Sequence, residues 1–78
     1  MKKIYLILSD LLDRDENDFT MDSTSDQFEN WDSIATINLA VALEDEYGIS
    51  LSALDVESLT SVQAIVNVLK KQDVSVAE

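Results

Sequence analysis

Apolar residues recur every three or four positions along most of the chain, which is the spacing of one helix face and not the alternation of a strand. In the first segment they are Ile4, Ile7, Leu8, Leu11 and Leu12, and they predict a helix over residues 3–13. The chain has no proline and a single glycine, so it lacks the turn residues that a sandwich or barrel needs. The pattern therefore favours an all-α protein.

The clearest helical pattern covers residues 33–47. Asp32 and Ser33 are both residue types that cap helix N-termini, and Gly48 follows the last periodic residue, where a left-handed C-cap is expected. One face of this helix is predicted to be its core stripe, and it consists of Leu39, Ala42, Leu43 and Tyr47.

Two further helices are predicted in the second half of the chain. Val56 and Leu59 indicate a short third helix near residues 53–59. Thr60 and Gln63 have the T-x-x-Q spacing of a capping box, which predicts the start of a last helix there. The apolar face of this helix consists of Val62, Ile65, Val66 and Leu69. Its last turn carries Lys70 and Lys71, and the helix dipole favours cations at that end.

A long polar connection, residues 13–31, separates the first two helices. We expect its aromatic residues, Phe19, Phe28 and Trp31, to hold it against the core. Its Asp-x-Asp-x-Asn start resembles a calcium loop, but the sixth and twelfth positions lack the required Gly and Glu, so no metal site is predicted. The prediction is one domain over residues 1–78, a four-helix bundle with a short third helix, this long loop and a frayed tail at 73–78.

The helix over residues 33–47 has a second apolar face, formed by Ile34, Ile37 and Val41. This face either packs against the long loop or is partly exposed and binds a partner. The last turn carries Glu-Asp-Glu at 44–46. Each acid there opposes the helix dipole at a cost of about 0.3–1 kcal/mol, and folding alone suggests no reason for three of them. A partner with a basic surface would be such a reason.

Sixteen acidic residues against five basic ones give a formal net charge of −11. This balance argues against binding to nucleic acid or anionic membranes and favours partners with basic patches, although it also serves solubility. The absence of histidine and cysteine removes the usual general base, the thiolate nucleophile and the commonest metal ligands, so no enzyme activity is expected. Without a recognisable signal peptide or membrane span, we expect a cytoplasmic location.

Ser33 stands out because it lies at a predicted helix start, directly after Asp32. A helix N-terminus presents free N–H groups, so a phosphate attached to Ser33 would be electrostatically favoured. Ser33 is not a credible catalytic nucleophile, because the chain has no histidine to activate it. The Asp-Ser dipeptide on its own usually indicates only a helix cap.

The wider stretch FENWDSIATINLAVALEDEYGI, residues 28–49, closely resembles the acyl carrier protein family. The signature of that family is Asp-Ser-Leu or Asp-Ser-Ile, followed by an apolar helix that ends in Ala-Leu-Glu-Glu-Glu-(Phe/Tyr). Residues 32–34 and 42–47 match it with the right spacing. The resemblance extends over essentially the whole chain and includes its length, its acidity and its four-helix pattern.

The resemblance implies that Ser33 receives 4′-phosphopantetheine from coenzyme A through a phosphopantetheinyl transferase, and that the arm holds acyl groups as thioesters. It also implies that Asp32 helps to position the transferase reaction and that the carrier is a monomer. The partner enzymes are those that load or use the acyl group, and they are expected to carry basic patches. The residues expected to face them are Ile34, Ile37, Val41, Glu44, Asp45 and Val56. Those expected to line an acyl cleft are Leu43, Leu59, Val62 and Ile65.

The chain departs from carriers of primary fatty-acid synthesis at several positions. Asn30 replaces a common glycine and is expected to tolerate the same left-handed turn. Ala35 and Asn38 replace common acids, and Ile65 replaces a common alanine and narrows the cleft. These departures favour a specialised stand-alone carrier with short or unusual cargo. Two alternatives stay open: an aminoacyl or peptidyl carrier of the same fold, and an unmodified acidic interaction module.

Overall fold

The computed structural model describes residues 2–74, which form four α-helices. These are α1 (Lys2–Leu12), α2 (Ser33–Tyr47), α3 (Ala53–Glu57) and α4 (Val62–Lys71). The connection between α1 and α2 contains two single 3-10 turns, Glu16–Asp18 and Ser25–Gln27. The predicted all-α bundle with a short third helix and a long first loop is confirmed. None of the helices in this part of the chain is long and apolar enough to cross a bilayer.

The ends of α2 follow from its capping residues, as predicted. The carboxylate of Asp32 accepts a hydrogen bond from the N–H of Ala35 at 2.9 Å, which satisfies a donor that the first helical turn leaves free. At the other end Gly48 adopts the left-handed conformation with φ of 64°. That conformation favours glycine, because a Cβ there would be strained.

The start of α4 differs from the prediction. Its N-cap is Ser61, whose Oγ accepts a hydrogen bond from the N–H of Ala64 at 3.0 Å, so the capping box predicted for Thr60 and Gln63 is wrong. The carbonyl of Thr60 is instead used by the long loop, where it accepts a hydrogen bond from the N–H of Ser25 at 2.7 Å. Local spacing could not anticipate a contact that joins residues so distant in sequence.

One apolar core joins all four helical segments and the long loop. The largest fully buried side chains come from α1, α2, α4 and the turn before α4: Ile4, Leu8, Leu12, Leu39, Leu43, Leu59, Val62, Ile65 and Leu69. The predicted anchoring of the loop is confirmed, since Phe19, Phe28 and Trp31 are all buried. The rings of Phe19 and Phe28 stack with their centroids 4.9 Å apart.

The helix α3 has no fully buried residue, but its half-buried Val56 packs against the core, and polar contacts join α3 and the segment before it to the end of α4. The ammonium of Lys71 lies 2.7 Å from the carboxylate of Asp55, and the side-chain amide of Gln72 donates to the carbonyl of Ser50 at 2.9 Å. Thus α3 packs against α2 mainly as a surface element.

Two expectations about local backbone are corrected. Among the non-glycine residues between 2 and 74, only Asp13 and Asp73 have positive φ, so Asn30 does not occupy a left-handed turn. Asp73 and Val74 donate hydrogen bonds to carbonyls of α4, and Val74 packs against the core, so these two residues continue the fold where a frayed tail was predicted. The rest of that tail, 75–78, lies outside the described residues.

Candidate functional site

Ser33 is the first residue of α2, and its side chain is exposed to solvent. The residue before it is fixed in place, because the carboxylate of Asp32 caps the helix and its carbonyl accepts hydrogen bonds from the N–H and the hydroxyl of Thr36, both at 2.9 Å. The hydroxyl of Ser33 is therefore displayed on a rigid helix start, where an enzyme can reach it.

The first turn of α2 suits a bound phosphate. The N–H groups of Ser33 and Ile34 would need acceptors four residues earlier, outside the helix, and neither donates to another group within residues 2–74. Free N–H groups and the positive end of the helix dipole favour negative charge at this position. The residues present therefore fit a phosphodiester on the oxygen of Ser33.

A groove of about 510 Å³ opens beside Ser33, between the start of α2 and α3. Part of its lining is apolar and consists of Trp31, Ile37 and Val56. The other lining residues carry hydroxyl or carboxyl groups: Ser25, Asp32, Ser33, Thr36, Glu57 and Thr60. A flexible arm attached to Ser33 would find both kinds of surface within reach.

The outer face of α2 is apolar and exposed. Ile34, Ile37 and Val41 are 70%, 57% and 59% accessible, so the alternative in which this face packs against the long loop is wrong. Leu54 on α3, 77% accessible, is another exposed apolar residue that the sequence reasoning missed. Its position between the capping Ser52 and the inward-facing Val56 could have suggested an outward-facing side chain.

Comparison with known proteins agrees with this geometry. A family model described as "Phosphopantetheine attachment site" matches residues 2–69. The chain belongs to this phosphopantetheine-attachment family. It is 36% identical over 70 residues to a protein named "Acyl carrier protein" from Buchnera aphidicola subsp. Baizongia pistaciae (strain Bp), covering 90% of each chain. It is 28% identical over 71 residues to an "Acyl carrier protein" from Petrotoga mobilis (strain DSM 10674 / SJ95), covering 91% of this chain and 84% of the relative.

Membership of the phosphopantetheine-attachment family confirms the predicted cofactor and the predicted role as a carrier. The aminoacyl carrier and the unmodified interaction module are not favoured. In this family the reactive thiol belongs to the attached arm, so a carrier that has no cysteine of its own is chemically complete once it is modified.

The contacts of the acidic residues at the end of α2 differ from the prediction that only a partner would use them. The carboxylate of Glu44 accepts a hydrogen bond from the N–H of Leu51 at 2.7 Å, and Glu46 lies 3.2 Å from the ammonium of Lys3. Two of the three acids thus have contacts within the fold, which corrects the view that folding suggests no reason for them. Asp45 is exposed, and together with the net charge of −11 it favours a partner with a basic surface.

The residues predicted to line an acyl cleft lie together but are sealed from solvent. Leu43, Leu59, Val62 and Ile65 are fully buried in the core of the carrier, and none of them lines the groove beside Ser33. An acyl chain could reach them only if the core opened. The cleft stays a prediction.

One titratable group near the groove has a clearly altered acidity. A hydrogen bond from the Lys71 ammonium lowers the pKa of the Asp55 carboxyl below its usual value; burial opposes this shift, and the positive charge of Lys71 supports it. This ion pair joins α3 to α4. It therefore helps to hold α3, which forms one side of the groove, in place. Within residues 2–74 no cluster of side chains could hold a metal ion.

Proposed function

We propose that this chain is an acyl carrier whose Ser33 oxygen receives 4′-phosphopantetheine from coenzyme A. When bound, the arm supplies a terminal thiol on which acyl groups are held as thioesters. The observation that carries the proposal is the exposed hydroxyl of Ser33 at the capped start of α2, beside free backbone N–H groups. The family membership of the chain supports the same assignment.

Ser33 has a passive role in its own modification. The chain has no histidine and the Asp32 carboxylate is used to cap α2, so we propose that the base that removes the hydroxyl proton comes from the transferase. Asp32 contributes by holding the helix start rigid, and its exposed position also allows it to contact the transferase directly.

The exposed apolar residues of α2 are proposed to be the docking surface for the transferase and for enzymes that load or use the acyl group. Ile34, Ile37 and Val41 provide apolar contacts on the same helix as Ser33. Val56 is half-buried and lines the groove at the edge of this surface. Asp45 and the strong negative charge favour partners with basic patches, and Glu44 contributes charge while it also holds Leu51.

The test is an intact mass measurement after incubation with coenzyme A and a phosphopantetheinyl transferase. The native chain should gain the mass of one phosphopantetheine, and Ser33→Ala should gain nothing. Ser25→Ala is the matched control, because Ser25 lines the same groove and should leave the modification unchanged. A native chain whose mass does not change with an active transferase would contradict the proposal.

The same proposal includes three further properties of the carrier. The carrier has no catalytic activity of its own, works as a monomer and resides in the cytoplasm. The first follows from the absence of the usual general base and thiolate nucleophile in the sequence, and the last is compatible with a chain that contains no cysteine.

A further inference from the structure

The middle of α2 exposes a surface that carries no charge. Among residues 34–43, the exposed side chains follow the i, i+3, i+4, i+7 spacing that places residues on one face of a helix. They are Ile34, Ile37, Asn38 and Val41, and together they form what we call the neutral face. None of residues 33–43 is acidic or basic, although the chain as a whole has a net charge of −11.

Acidic side chains lie at the margins of the neutral face. Asp32 precedes it at the start of α2 and Asp45 follows it near the end of this helix, and both residues are exposed. From α3, Glu57 lines the groove together with Ile37 and so approaches one side of the face, whereas Asn38 does not line the groove. An apolar centre with a polar rim is the usual anatomy of a protein–protein interface.

The acids of α2 are too far from Asn38 to pair with a cation placed against it. The rise of a helix puts Asn38 about 9 Å from Asp32 and about 10 Å from Asp45 along the axis. Surface charges are screened over about 8 Å at physiological ionic strength. A lysine or arginine that a partner pressed against Asn38 would therefore lose its water without gaining an acidic partner, which is unfavourable. A neutral polar group could instead exchange hydrogen bonds with the amide of Asn38.

Asp45 is the acid of the last turn of α2 that a partner can reach most easily. The carboxylate of Glu44 is held by the N–H of Leu51, and Glu46 is paired with Lys3. Asp45 is exposed, and it forms no salt bridge within residues 2–74. A basic group of a partner can therefore pair with Asp45 without displacing a contact of the fold.

From these observations we propose that the transferase that modifies Ser33 covers the neutral face with an apolar, uncharged surface, and that its basic groups lie at the margin, opposite Asp45. A transferase with a lysine or arginine opposite Asn38 is disfavoured, so the neutral face selects among transferases by charge. The net charge attracts basic partners, and the neutral face decides which of them fits. This inference rests on the proposed function and adds to it the chemistry of the partner surface.

The experiment measures kcat/KM for the attachment of phosphopantetheine to Ser33 by a phosphopantetheinyl transferase from the source organism. Asn38→Glu places a carboxylate in the neutral face, and we expect it to lower kcat/KM about tenfold, because an apolar partner surface would bury that charge unpaired. A transferase with a basic group opposite residue 38 would instead modify Asn38→Glu faster than the native chain. The sign of the change therefore distinguishes the two kinds of partner surface.

Two variants are the matched controls for this measurement. Asn38→Gln has nearly the size and shape of Asn38→Glu without its charge, so its kcat/KM should fall much less. Asn67→Glu adds the same charge at an exposed position of α4, outside the neutral face, and should leave kcat/KM unchanged. The Tm of each variant shows whether the fold is retained.

Asp45→Asn tests the margin of the neutral face. We expect it to lower kcat/KM about threefold at about 0.05 M NaCl, and we expect the difference from the native chain to disappear at about 0.5 M NaCl, because salt screens an exposed ion pair. A loss of the same size at both salt concentrations would contradict a basic group opposite Asp45.

The outcomes separate the two proposals. A native chain that gains no mass overturns the proposed function and this inference with it. When the native chain is modified, this inference alone is overturned if Asn38→Glu reacts as fast as Asn38→Gln or faster than the native chain. It is also overturned if Asn67→Glu loses as much kcat/KM as Asn38→Glu, since the effect would then come from the net charge and not from the neutral face.

Discussion

The two faces of α2 have similar composition and opposite environments. On the inward face, Leu39 and Leu43 are fully buried, whereas on the outward face Ile34, Ile37 and Val41 remain mostly accessible. Both faces are aliphatic, so hydrophobicity alone does not distinguish them. The difference is which face the other helices and the loop cover. One face of this helix stabilises the fold, and the other is left for contacts outside the chain.

The outward face is accompanied by features that the inward face lacks. Ser33 lies on the same helix, the groove adjoins it at Ile37, and α3 adds the exposed Leu54. Contiguous exposed apolar surface on a small protein commonly marks an interaction site. The comparison therefore predicts that substitutions on the two faces affect different measurements.

The largest expected effect is on stability, from the inward face. Leu43→Ala removes a fully buried side chain and should lower the free energy of unfolding by about 2–5 kcal/mol. Val41→Ala, on the opposite face, should change it by no more than about 0.5 kcal/mol. Urea denaturation followed by circular dichroism measures both. If Leu43→Ala does not fold, Ile65→Val offers a milder test at about 0.5–1.5 kcal/mol. An equal decrease in the free energy of unfolding for Leu43→Ala and Val41→Ala would contradict the predicted difference between the two faces.

The second effect is on partner recognition, from the outward face. Ile37→Ala should lower kcat/KM for the phosphopantetheinyl transferase about tenfold, since an apolar anchor at an interface commonly contributes more than about 1 kcal/mol. The free energy of unfolding should stay close to that of the native chain. Leu6→Ala is the matched control, because Leu6 is also exposed but lies on α1. A similar loss from Leu6→Ala would show that the outward face of α2 is not special.

The smallest effect is on the ion pair that joins α3 to α4, which involves neither face of α2. Because the pKa of Asp55 is lowered in the folded protein, its ion pair with Lys71 stabilises the fold fully above about pH 4, the usual pKa of an aspartate. That stabilisation is lost as the pH falls through the lowered pKa. The Tm of Asp55→Asn should lie slightly below that of the native chain at neutral pH, and the two should converge in acid.

Thermal unfolding at a series of pH values measures this convergence. Glu57→Gln is the control, since Glu57 is also on α3 but is not paired with Lys71. A constant difference in Tm between Asp55→Asn and the native chain at every pH would show that the ion pair does not carry the effect.

The helix positions could be predicted from the sequence, and Ser33 could be proposed as the attachment residue, because both depend on short-range rules. The spacing of apolar residues, the capping by Asp32 and the left-handed Gly48 all concern atoms within a few residues of one another. The match of residues 28–49 to a known signature pointed to Ser33 for the same reason, since the signature is contiguous.

The tertiary structure alone decided which of two aliphatic faces is covered, how the acids of α2 are used and where the long loop is fastened. The hydrogen bond from Leu51 to Glu44, the pairing of Ser25 with Thr60 and the indole contact of Trp31 with Leu59 join residues that the sequence separates by 7 to 35 positions. Such contacts depend on how the helices pack, and the free energy of packing is shared among many residues. Spacing along the chain therefore does not specify them.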